Sequence, residues 1–255
     1  MSLVAMITFT SDFGSRYAAA VRGVLLGETG TRVVDVTHTL PRSSLVAAAF
    51  WVDQLLQTYP PAVHLIAVDP TRGASDESVI GIVGEHVLVG PDNGVCWPIA
   101  TTLAAARDTS PIWYRSDGAP SRFPTRDVRG PLAARLDADV EGVLDSCDVI
   151  ASPIRLGIPE GRLTDTGAVG EVITVDRFGN LITSIPADFI AETHGREVRV
   201  CGALGRVLDA QTPPPAGTLA VTEGEHGRVE VVLGDGSASE ELGLHAGGAV
   251  RVDVI

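Results

Sequence analysis

Lysine is absent from this sequence: all nineteen basic residues are arginine, against 32 acidic ones, for a formal net charge of −13. Without lysine there is no Schiff-base nucleophile and no P-loop lysine for phosphate. An acidic surface lacking basic clusters repels a phosphate backbone, so nucleic acid is not an expected partner. No run of eighteen apolar residues is present to cross a bilayer, so no membrane partner is expected either. The start, MSLVAMITFT, has no basic stretch ahead of an apolar core and no small-residue cleavage site. These absences predict a soluble, cytoplasmic protein. Cysteine is scarce: Cys96, Cys147 and Cys201 are odd in number and far apart, with no Cys-x-x-Cys, which predicts reduced, buried thiols. The six histidines show no ligand spacing such as His-x-x-x-His, so no metal is expected.

What is present is ordinary for a globular chain of 255 residues, with 45% hydrophobic and 20% charged residues, enough to bury one large core or two modest ones. The first half alternates short apolar runs with helical patterns. The periodicity predicts strands at Met6 to Phe9, Val33 to Val36 and Val63 to Val68, and helices at Arg16 to Leu26 and Leu45 to Leu56. That rhythm implies an α/β fold with a mostly parallel sheet flanked by helices. Ile80 to Val83 and His86 to Val89 straddle Gly84-Glu85 as in a tight hairpin, and PDNG from Pro91 reads as a turn. Residues 152–166 are rich in Pro and Gly with little periodicity and form the candidate linker. After Gly167 the period changes to two, in short strands without helices between them, which predicts a smaller antiparallel β domain, a sandwich or barrel. The expected organisation is therefore an N-terminal α/β domain over 1–151, the linker 152–166 and a C-terminal β domain over 167–255.

Candidate functional residues stand at strand ends. In AVDPTRGASDES an apolar run delivers Asp69 into a loop through Pro70. Strand interiors reject Asp and Pro, so the acid is presented at a carboxyl edge, where open α/β sheets build their sites. In TSDFG, Asp12 either accepts hydrogen bonds from the paired hydroxyls of a sugar or caps the helix that follows. In DRFGN, Phe178 either stacks on a purine whose edge Asn180 reads, or is the core aromatic of a hairpin. PDNG, with Asn93, is by itself only a turn.

In order along the chain, SDFG, VVDVTH ending at His38, VDP, PDNG, RFPTRD, DRFGNLITSI and the terminal GRVEVVLGDGSASEELGLHAG resemble the S-adenosylmethionine hydroxide adenosyltransferase family, whose relatives include fluorinases and chlorinases. The resemblance spans nearly the whole chain. It implies an adenosine-forming hydrolase acting on S-adenosylmethionine as substrate with no cofactor, and a homotrimer whose sites lie between neighbouring subunits. It places Asp12 on the ribose, Asp176 on the methionine amine, Phe178 and Asn180 on the adenine, and Phe13, Asn93 and Thr125 around the substrate. Asp69 stands beside the 5′ carbon and orients the attacking water. Two residues expected beside it are replaced: Asp76 stands where an Arg is expected, seven positions after Asp69, and Pro124 where a His is expected. Arg72 or Arg122 is the expected substitute positive charge. Glu225 and His226 stand where halogenating relatives hold the methionine end. A catalytically impaired nucleoside-binding trimer is the alternative implied by these losses, and a halogenase ranks below it.

Overall fold

Apolar alternation and its interruptions build two units, divided between Gly157 and Ile158. The computed structural model describes residues 6–28, 30–68, 77–116, 118 and 121–255. In the first unit the chain runs β1 (Met6–Ser11), α1 (Ser15–Glu28), β2 (Arg32–Thr37), α2 (Leu45–Leu56), β3 (Val63–Ala67), β4 (Ser78–Val83), β5 (His86–Pro91), α3 (Trp97–Ala105) and β6 (Ile112–Ser116). A π-helical turn, Thr125–Arg129, then leads directly into α4 (Gly130–Ala138), α5 (Val140–Leu144) and β7 (Asp148–Ile150). The strands form one sheet in the order β2-β1-β3-β5-β4-β6-β7. The β2, β1, β3 and β5 strands are parallel, and β4, β6 and β7 extend the sheet in antiparallel pairs. The parallel part matches the βαβ rhythm. The antiparallel part begins at the β4–β5 hairpin, where Gly84 takes φ +57°, a left-handed conformation that a β-carbon disfavours.

Strand alternation divides the core between the two faces of this sheet. Ile7, Phe9, Leu65, Ala67, Val87 and Val89 pack with Val21 and Leu25 of α1 and Leu132 and Leu136 of α4. On the opposite face α2 and α3 pack together, and α2 is apolar almost all round, with Ala47, Ala48, Ala49, Phe50, Val52 and Leu56 buried. The same face carries a polar row. Thr8 Oγ1 lies 2.7 Å from His64 Nδ1, His64 Nε2 lies 2.9 Å from His86 Nδ1, and Arg107 Nη2 reaches His86 Nε2 at 2.7 Å.

The second unit contains β8 (Arg162–Thr164), β9 (Gly167–Val175), β10 (Leu181–Pro186), α6 (Asp188–Thr193), β11 (Glu197–Val200), β12 (Ala203–Val207), β13 (Leu219–Glu223), β14 (Arg228–Leu233), α7 (Ala238–Leu242) and β15 (Ala249–Val254). Its strand order is β10-β14-β13-β12-β11-β15-β9-β8. The first part of β9 pairs with β15 and the last part with β10, which closes the sheet into a barrel and leaves β8 on the flank of β9. Val172, Leu181, Val198, Val221, Val229 and Val252 fill its interior.

Four particulars depart from the sequence reading. The expected linker contains β8, because residues 162–164 find a ladder on β9 that no local periodicity announces. Two short helices, α6 and α7, interrupt the expected run of strands; α7 is capped by Ser237, whose side chain accepts from Glu240 N–H. One barrel pair, β12 with β13, is parallel. The cysteines are free as expected, but only Cys96 is buried, while Cys147 is half-buried and Cys201 is exposed at a turn.

Candidate functional site

The carboxyl ends of β1, β3 and β5 lie side by side. From β1 the chain goes out through α1 to β2 on one side, then returns through α2 to β3 on the other, so the strand order reverses at β1 and β3. Ligands of open α/β sheets sit outside the carboxyl ends at such a reversal. Asp12 emerges there, 5% exposed, with its backbone N–H on the Ala67 carbonyl at 3.4 Å. Asn93, after β5, braces the same edge: its Nδ2 donates to the Val68 carbonyl at 2.8 Å and its Oδ1 accepts from Val95 N–H. The amide expected to face substrate thus ties the end of β3 to the turn after β5. Asp92, also 5% exposed, accepts from Ile154 N–H at 2.8 Å and has Arg115 Nη2 at 3.8 Å.

A second brace involves His38, which the sequence offered only as the end of a motif. Its ring meets Ser11 Oγ at 2.9 Å through Nδ1 and Asp35 Oδ1 at 3.3 Å through Nε2, and Arg22 pairs with the same Asp35. The His38 carbonyl accepts from Gly14 N–H at 2.8 Å, so one residue clasps both sides of the turn that carries Asp12. Phe13 packs edge-on against Phe9, 6.4 Å between ring centres, and is half-buried against the core.

Around the π-helical turn, Thr125 is buried and its carbonyl accepts from Gly130 N–H. Arg122 and Phe123 are exposed, with Arg126 stacked over the Phe123 ring at 4.5 Å. Arg129 is different: it is 2% exposed, donates from Nε to Ser78 Oγ at 3.1 Å, and donates from Nη2 to the Glu77 carbonyl at 3.4 Å. Asp69, Arg72 and Asp76, which the sequence placed at the reacting centre, lie outside the described residues.

In the second unit, Asp176 organises a tight turn. Its Oδ1 accepts from Phe178 N–H at 2.8 Å and Asn180 N–H at 2.9 Å, and its Oδ2 accepts from Asn180 Nδ2 at 2.9 Å. Gly179 sits at φ +84° with Ser237 packed so closely that a β-carbon would lie 2.2 Å from its hydroxyl oxygen. The result is a rigid tip that presents Phe178, 62% exposed, with Arg177 stacked 4.5 Å over its ring. Glu230 is half-buried nearby, its carboxyl pushed up first by burial and then by the charges of Asp176 and Glu225. His226 is pushed down by burial, against the opposing charge of Glu225.

Comparison with known proteins identifies the family. Residues 7–143 match the SAM hydroxide adenosyltransferase N-terminal domain and residues 170–251 the C-terminal domain of the same family. The chain belongs to the SAM hydroxide adenosyltransferase family. Among relatives, it is 33% identical to the (R)-S-adenosyl-L-methionine hydrolase of Salinispora tropica, over 96% of this chain and 97% of that protein. It is 35% identical to the protein of the same name in Thermus thermophilus, over 96% and 98%. Among solved structures, an uncharacterized conserved protein from Thermotoga maritima superposes with a TM-score of 0.79 at 25% identity, over 97% of this chain and 100% of that one. A conserved hypothetical protein from Thermus thermophilus gives 0.74 at 33% identity, over 96% and 98%.

The two positions at which the resemblance leads one to expect Arg and His hold Asp76 and Pro124 in this sequence. Pro124 directly precedes the π-helical turn, with no side-chain cap there. The sequence does not single out Arg129, which stands in RDVRGP between a charged turn and the apolar face of α4.

Proposed function

We propose that this protein is an S-adenosylmethionine hydrolase that forms adenosine and L-methionine. The observation that supports this most is the buried Asp12 at the β1–β3 reversal of a chain whose near-full-length relatives carry the hydrolase name. A carboxylate there accepts hydrogen bonds from vicinal ribose hydroxyls, and the exposed Phe178 offers a face for the adenine. Asp176 and Asn180 hold that face rigid, and the acidic surroundings of Asp176, Glu225 and Glu230 suit the cationic methionine end. The site is assembled between the first unit of one subunit and the second unit of its neighbour in a trimer.

The reaction needs orientation more than acid catalysis. Water oxygen attacks the 5′ carbon, the carbon–sulfur bond breaks, and its electron pair stays on sulfur, turning a sulfonium into a neutral thioether. The water proton leaves through the carboxylate to solvent. Asp69 is the residue assigned to hold that water in line and dry. A carboxylate about 4 Å from a halide is opposed by ~1 kcal/mol in water and ~4 kcal/mol at an effective dielectric near 20, which disfavours halogenation.

The second reading, a binding module without turnover, is favoured by one observation, the replacement of two expected residues by Asp76 and Pro124. One experiment separates the two. Purified protein is incubated with each sulfonium epimer of S-adenosylmethionine, since the relatives' name specifies (R), and products are separated by chromatography alongside calorimetric titration with adenosine. Adenosine formation that falls by about 10²-fold or more in Asp69→Asn supports the hydrolase. Adenosine binding with no turnover supports the module, and neither binding nor turnover rejects both.

A further inference from the structure

We propose that His38 is a positioning residue for the ribose contact, fixing Asp12 so that one carboxylate serves both hydroxyls of the sugar. The inference deepens the hydrolase reading and rests on its assignment of Asp12 to the ribose. Asp12 lies in the turn from β1 to α1, and residue 38 holds that turn from both sides. Its ring Nδ1 meets the hydroxyl of Ser11, just before Asp12, at 2.9 Å, and its carbonyl accepts from the N–H of Gly14, just beyond Phe13, at 2.8 Å. The Ser11 carbonyl in turn accepts from Leu40 N–H at 3.3 Å, so the loop after β2 is laced to the turn again. The Phe9 ring packs against the His38 ring at 4.7 Å and against Phe13 at 6.4 Å, which ties the residue following Asp12 to the same pair of strands. Register builds this contact. The β1 and β2 strands pair residue for residue from Met6 with Arg32 to Phe9 with Asp35, then slip by one, so that Thr10 faces Thr37. Continued one step, the slipped register sets His38 beside Ser11; without the slip Thr37 would stand there.

The ring is itself oriented. A carboxylate only accepts, so Nε2–H donates to Asp35 Oδ1 at 3.3 Å, and Arg22 of α1 holds the other oxygen of Asp35. Nδ1 then accepts from the Ser11 hydroxyl when the ring is neutral and donates to it when the ring is charged, so the contact survives in either state. The row of Arg22, Asp35, His38 and Ser11 runs from the surface of the first unit inward to a serine with no exposed area. Buried there, Ser11 acts through the backbone it shares with Asp12. One carboxylate binds a vicinal diol fully only when each of its oxygens accepts from a different hydroxyl, and a small rotation of the turn forfeits one of the two bonds. The consequence is specificity. A fixed Asp12 distinguishes ribose from deoxyribose, and a loosened one keeps the purine contacts while losing that discrimination.

The test titrates adenosine and 2′-deoxyadenosine calorimetrically into full-length wild type, His38→Ala, His38→Asn, His38→Gln and Ser11→Ala, with kcat and KM for S-adenosylmethionine measured alongside. In wild type the missing hydroxyl is expected to weaken binding by about 10- to 100-fold, the range of a hydrogen bond to a charged group. In His38→Ala, adenosine is expected to bind about tenfold more weakly while 2′-deoxyadenosine changes by less than about threefold. KM for S-adenosylmethionine rises by about tenfold with kcat within about threefold, because the sugar contact is present both before and during the reaction. His38→Asn places Oδ1 where the ring has Nδ1 and is expected to restore the discrimination, whereas His38→Gln reaches toward Asp35 instead and is expected not to. A variant that weakens both nucleosides equally, or His38→Asn and His38→Gln behaving alike, marks a packing role only and overturns the proposal. Should His38→Ala not fold, Ser11→Ala decides, since it removes the same hydrogen bond at the loss of a single oxygen; unchanged discrimination there overturns the proposal. If wild type binds neither nucleoside, or does not tell them apart, the assignment of Asp12 to the ribose fails and the proposal with it. If wild type discriminates and every variant does so equally well, only the role of His38 fails.

Discussion

His64 and His86 are fully buried, yet each ring nitrogen has a partner, and the partners dictate the tautomers. Arginine only donates, so His86 Nε2 accepts from Arg107. His86 Nδ1–H then donates to His64 Nε2, and His64 Nδ1–H donates to Thr8 Oγ1. Protonating either ring breaks this order. Burial pushes His64 down to about 3, helped by the charge of His86, and pushes His86 down to about 4, helped by Arg107. Rings that stay neutral in the fold but charge near their ordinary value when unfolded withdraw stability as pH falls below that value. We expect ~1 kcal/mol lost per ring between about pH 7.5 and about pH 5.5, read from urea midpoints, and a flatter dependence in His64→Gln, which cannot charge. In the sequence His64 was only the interruption of an apolar run. Its function as a link in a cross-sheet row depends on β1, β3 and β5 being neighbours, which no single stretch specifies.

Elements place the site by close approach as much as by hydrogen bonds. Gly90 of β5 is packed so that a β-carbon would meet Cys96 Sγ at 2.6 Å and the Ile66 carbonyl at 3.1 Å. This lets the start of α3 sit against the sheet and sets the Asp92–Asn93 turn. Gly90→Ala is expected to destabilise by about 1–3 kcal/mol in urea unfolding, with part of the loss recovered when Cys96→Ala is added. Full additivity of the two changes counts against this contact. The α2 helix was legible to the residue, Leu45–Leu56, because Ser44 caps it and accepts from Ala47 N–H. The π-helical turn was not legible: RFPTRD stood in the sequence only as a motif with no period of its own, and the Gly130 N–H bonding the Thr125 carbonyl winds the turn wider.

At the scale of the whole molecule, the trimer proposed above predicts that activity depends on assembly. Light scattering is expected to give three times the 26.6 kDa chain mass. Asp12→Ala in the first unit and Asp176→Ala in the second are each expected to abolish turnover, while unfolding and refolding the two together regains a fraction of it, because mixed trimers contain some sites with neither change. A monomer, or a mixture as inactive as its parts, counts against a shared site. The sequence by itself determined the alternation that yields the parallel sheet, the change to period two that yields the β domain, and the acids at strand ends, because periodicity and the intolerance of strands for Asp and Pro are local properties. Only the tertiary structure decided that Asn93 and His38 brace the edge and that Arg129 rather than Arg122 is buried there. Those outcomes follow from which strands become neighbours and what a buried charge or amide then finds within reach, and contacts between residues tens of positions apart leave no period in the chain.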